Sequence, residues 1–98
     1  MSPAAVDFHP AARDELLAAH AWYRARNESS ALAFFREMER AIEVIAEAPD
    51  RWPSYLHGTR RYLLRRFPFS VVYRRVDAGV QVVAVAHARR RPGYWRAR

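Results

Sequence analysis

Ninety-eight residues carry no cysteine, a net charge of +7 and 51% hydrophobic positions. A chain this short has interior for one core, so two domains, disulfide stapling and thiolate zinc sites are excluded. The opening MSPAAVDFHP lacks the basic and apolar regions of a secretory leader, and no run nears the roughly 18 apolar residues of a membrane span, so a cytoplasmic chain without a membrane partner is expected.

Charge is distributed one-sidedly. Residues 1–50 hold five arginines against nine acids, a net of −4, whereas residues 51–98 hold twelve arginines against Asp77 alone, a net of +11. Every basic residue is arginine, able to make forked contacts to phosphate or carboxylate. Such a half-molecule attracts polyanions or acidic protein segments, and composition does not choose between them.

Val6 to Phe8 reads as a short strand, ended by Pro10 at the first position of a helix. From Pro10 to Arg26 the residues Ala12, Leu16, Ala19 and Tyr23 recur at four, three and four positions, one face of a helix. A short polar link follows, in which Ser29 or Ser30 is expected to cap a second helix running to about Ala48. The stripe of that helix is Ala31, Phe34, Phe35, Met38, Ile42 and Ile45, and Glu37, Glu39, Glu43 and Glu47 read as part of a solvated face. Pro49 stops it, and the short link predicts an antiparallel helical hairpin.

After Pro49 the apolar period becomes that of β-structure. Three strands are predicted, Arg60 to Phe67, Phe69 to Val76 and Val80 to Ala88, parted by Pro68 and by a turn at Asp77-Ala78-Gly79. The resulting fold class is α+β, ordered β-α-α-β-β-β, in one domain over residues 1–98: a helical hairpin packed on a small twisted antiparallel sheet. If Val76 pairs with Val80, Val72 and Ala84 share one face, and Phe69, Val71, Tyr73, Val83, Val85 and His87 the other. Ala84 and Ala86 are small enough to admit a helix.

The chemistry concentrates near the end of the chain. His87 closes a strand and is followed by Arg89, Arg90 and Arg91, a Pro92-Gly93 turn, then Tyr94 and Trp95. Arginine with exposed rings suits single-stranded RNA, and equally a protein hot spot. Both rings could instead fold back on the sheet. A second cluster, Arg60, Arg61, Arg65 and Arg66, could hold a phosphate beside His87, which would move a proton near neutral pH. His9, His20 and His57 form no pair with metal-ligand spacing, so neither metal nor cofactor is expected.

From Val6 to Arg98 the order of local motifs resembles the RelE/ParE superfamily of toxins from bacterial type II toxin–antitoxin systems. The residues that carry the likeness are Phe8-His9-Pro10-Ala11-Ala12, Asp14-Glu15-Leu16, Trp22-Tyr23, Ala48-Pro49, Arg51-Trp52-Pro53 and Arg66-Phe67-Pro68-Phe69. They continue with Val71-Val72-Tyr73-Arg74, Val83-Ala84-Val85-Ala86-His87, Arg90, Pro92, Tyr94 and Trp95. The resemblance implies a growth-inhibiting toxin neutralised by a cognate antitoxin, expected here to present an acidic, partly disordered segment. The ending resembles the ParE-type, plasmid-stabilisation branch, which implies DNA gyrase as target, with Arg66, Arg89, Arg90, Arg91 and Trp95 as target-binding residues. The alternative it implies is a ribosome-dependent messenger RNA endonuclease, for which Arg61, Arg65, His87 and Tyr94 are the matching catalytic positions.

Overall fold

The computed structural model describes residues 2–77 and 79–98. Strand β1 (Ala5–Phe8) leads into helix α1 (Pro10–Arg26) and helix α2 (Glu28–Glu47), followed by strands β2 (Arg60–Leu63), β3 (Phe69–Val76) and β4 (Gly79–His87). The four strands form one sheet in the order β1-β4-β3-β2. The last three make the antiparallel meander expected from their short links, and β1 joins it parallel to β4. Parallel pairing needs a long crossover, which the helical hairpin supplies. No helix among the described residues is long and apolar enough to cross a membrane.

Local chemistry sets the boundaries. His9 precedes Pro10 and its Nδ1 accepts from the Ala11 amide, satisfying one of the free donors that open α1. The cap of α2 is Asn27, whose side chain accepts from the Ser30 amide, and not Ser29 or Ser30. Those serines lie inside the first turn because Asn27 already leaves the helical conformation, which ends α1 and opens α2 at one residue. Strand β2 stops at Leu63, short of the expected Phe67. Glu37 of α2 accepts from the amides of Arg65 and Arg66, and this pulls the chain out of the ladder. The Glu37 side chain is therefore a tie between layers, not part of a solvated face.

The helices cover one sheet face. Ala12, Ala19, Phe34, Met38, Ala41 and Ile45 pack there against Val71, Tyr73, Val80, Val82 and Val85. Phe34 lies at the centre, with the rings of Tyr23, Phe67 and Phe69 within 5.3 to 5.5 Å of it. The opposite face carries Val72, Val83, Ala84 and Ala86 and is covered by Trp95, Tyr55 and Tyr94. Ala84 and Ala86 thus meet an indole and not a helix. Val83 is likewise on the far face, because a bulge at Val72/Tyr73 makes Val72 pair with Ala84 but Tyr73 with Val82. An extra residue in one strand displaces the alternation by one. The expected register holds from Phe69 to Val72; beyond the bulge Val76 pairs with Gly79, not Val80. Ala78 of the expected turn lies outside the described residues.

Candidate functional site

Strand β4 delivers His87 to the end of the sheet opposite Phe69, where the two rings meet edge to face at 5.0 Å. A tight turn follows: His87 Nδ1 accepts from the Arg89 amide at 3.0 Å, and the His87 carbonyl accepts from the Arg90 amide at 2.9 Å. This turn leaves Arg89, Arg90 and Arg91 exposed. Gly93 then adopts φ 84°, and a Cβ there would stand 3.0 Å from His57 Nε2. The left-handed conformation is natural to glycine, and it sends Tyr94 and Trp95 back over the sheet. Trp95 is only 4% exposed and tilts against Tyr55 at 5.4 Å. Its ring belongs to the core on the far sheet face, which takes up its apolar area.

Tyr94 is held by an acid that sequence reading did not single out as a site residue. Its hydroxyl donates to Glu15 Oε2 at 2.7 Å. Arg98 grips the same carboxylate with both terminal nitrogens, at 2.8 and 3.0 Å, and the Val85 amide donates to it at 3.1 Å. Burial pushes the Glu15 carboxyl up, but the hydrogen bonds from Arg98, Tyr94 and Val85 outweigh it and hold the group below its ordinary range. Burial and the bond to Glu15 push the Tyr94 hydroxyl well up. The bond to Glu15 raises Arg98 in turn. Glu15 stands three residues after Ala12 and four before Ala19, so an acid on the buried row of α1 was the available signal.

Two hollows flank this turn. On the helix side a groove of about 430 Å³ runs between α1 and the ends of β3 and β4, lined among others by Glu15, Trp22, Tyr23, Phe69, His87 and Arg90. Trp22 stands at its rim, 52% exposed. On the far side a narrow pocket of about 100 Å³ is lined by Arg61, Ser70, His87, Arg90, Tyr94 and Trp95 among others. Arg61, His87, Arg90 and Tyr94 are therefore brought together. Arg65 does not line this pocket; it lines an adjoining depression with Trp52, Tyr62 and Leu63, and Arg61 is common to both. Arg66 is drawn toward α2, with Nε 3.8 Å from Glu37. Arg89 and Arg91 line neither hollow. Among the described residues no group of three or more His, Asp or Glu is placed to hold a metal ion.

Residues 6–92 match the family described as the ParE toxin of the type II toxin–antitoxin system parDE. No curated protein sequence matches significantly. Among solved structures, a chain of the chromosomal ParDE toxin–antitoxin system from P. aeruginosa shares the fold with a TM-score of 0.74 and 19% identity, over 86% of this chain and 95% of that one. The family match spans both helices, all of the sheet but its first residue and the His87–Arg90 turn, and the chain belongs to the ParE toxin family of type II toxin–antitoxin systems, whose members pair with a cognate antitoxin.

Proposed function

We propose that this toxin arrests growth by binding a protein target, DNA gyrase, through the surface around Arg90, and that it is neutralised by an acidic, partly disordered antitoxin segment that folds as it binds the basic half of the molecule. The observation that carries the reading is the state of Tyr94. A general acid or base works best with a pKa near the operating pH, whereas this hydroxyl is committed to Glu15 and its ionisation is pushed far above neutrality. Arg65, also needed in the nuclease reading, does not line the pocket that holds His87 and Tyr94. Arg90 has what a protein hot spot uses: an exposed guanidinium lying over the Tyr94 ring at 3.8 Å, beside the aromatic rim formed by Trp22.

Growth assays on folded variants test this. Tyr94→Phe keeps the ring that supports Arg90 and should keep toxicity. Arg90→Ala should weaken target binding by about 2 kcal/mol, roughly thirtyfold, as for a hot-spot residue. Toxicity lost in Tyr94→Phe and kept in Arg90→Ala would establish the opposite mechanism.

A further inference from the structure

The narrow pocket on the far face of the sheet is lined by two arginines and by no carboxylate. Arg61 lies over the Tyr55 ring at 4.0 Å and Arg90 over the Tyr94 ring at 3.8 Å, so both guanidinium groups rest on rings that line the pocket. Among the described residues the ion pairs engage Arg24, Arg40, Arg66, Arg75 and Arg98, and neither Arg61 nor Arg90. Trp95, which also lines the pocket, has a buried indole N–H with no hydrogen-bond partner among the described residues. The hydroxyl-bearing Ser70 completes the lining from β3.

We propose that this pocket is a carboxylate site, which takes the side chain of an aspartate or glutamate from a protein partner between Arg61 and Arg90, beside the Trp95 ring that lines it. Two planar guanidinium forks match a carboxylate edge to edge. At about 100 Å³ the pocket is well below the size of cavities that enclose a nucleotide or drug-sized ligand. It admits a terminal group. A carboxylate ends its side chain and can enter head first; a phosphodiester is substituted on both sides and brings its backbone with it. The net charge of +11 on residues 51–98 favours an acidic partner at long range. The site stands whether or not gyrase is the target, because it concerns what enters the pocket and not which macromolecule carries it.

The test is a titration of the full-length, ¹⁵N-labelled chain at constant ionic strength with N-acetylglutamate N-methylamide, and separately with dimethyl phosphate, following the three indole N–H resonances. The Trp95 signal should move saturably with the carboxylate, while those of Trp22 and Trp52, which lie outside the pocket, stay in place. Arg61→Gln and Arg90→Gln should each weaken the binding about tenfold, as expected when one of two forked ionic contacts is lost. Trp52 in Arg90→Gln and Trp22 in Arg61→Gln, each remote from the substituted side chain's hollows, report that the variants are folded. Absence of any Trp95 shift, binding unaffected by both substitutions, or dimethyl phosphate binding as tightly as the carboxylate would overturn the proposal. The last result would mark the pocket as a nucleic-acid phosphate site.

Discussion

Glu15 is the acid around which the end of the chain is organised. It lies on the buried row of α1 and collects hydrogen bonds from Tyr94, Arg98 and the Val85 amide, so one carboxylate joins the first helix, the last strand and the closing segment. Its folded-state pKa is depressed, so the stability it contributes is present above its ordinary value of 4.5 and is lost as pH falls through the folded value. Glu15→Gln should therefore cost about 2 kcal/mol at pH 7, as expected for hydrogen bonds to a charged group, and the gap from the parent should close on acidification. Urea unfolding of both forms at several pH values would show this. Tyr73 sets the alkaline side: its hydroxyl donates to the Pro49 carbonyl, and burial pushes its pKa from 10 up to about 12. An unfolded tyrosine ionises first, so stability from this group falls as pH rises from about 10 to about 12.

At the scale of elements, the helices and the three-strand meander are legible because each has a clean period and a proline or polar break at its end. α1 runs from Pro10 to Arg26 as its apolar spacing predicts, and β3 from Phe69 to Val76. What sequence does not disclose is which sheet face the helices take, because the bulge at Val72/Tyr73 changes the alternation without a glycine or proline to mark it. Nor is the early end of β2 visible, since it depends on Glu37 reaching across from α2. The site shows the same division. The His87–Tyr94 stretch is conspicuous from composition, but the burial of Trp95 and the pairing of Glu15 with Arg98, 83 positions apart, belong to tertiary structure. Gly79 shows how tightly β1 is docked: a Cβ there would stand 2.8 Å from the Ala5 carbonyl oxygen. Gly79→Ala should destabilise the protein by about 1–3 kcal/mol. Hydrogen exchange should report loosening first at the β1 amides, with β3 protected to the end.

At the scale of the whole molecule, the acidic half forms β1 and the helical hairpin, and the strongly basic half forms the meander and the closing segment. The second sheet face is closed by the chain's own Trp95, Tyr55 and Tyr94. Exposed apolar side chains lie elsewhere, at Leu17, Trp22, Leu32 and Phe35 on the helices and at Leu63 on the sheet's edge strand. The acidic antitoxin segment proposed above would meet two kinds of surface, arginines near the His87–Arg90 turn and apolar side chains on the hairpin, and an amphipathic segment suits both. The arginine surface is also the one assigned to the target, so antitoxin and target should exclude each other. The most direct measurement of this account is supercoiling of relaxed plasmid by purified DNA gyrase in the presence of the antitoxin-free toxin. The account predicts loss of supercoiling that survives Tyr94→Phe, is weakened roughly thirtyfold by Arg90→Ala, and is reversed by the cognate antitoxin. Full gyrase activity at toxin concentrations that arrest growth would contradict it.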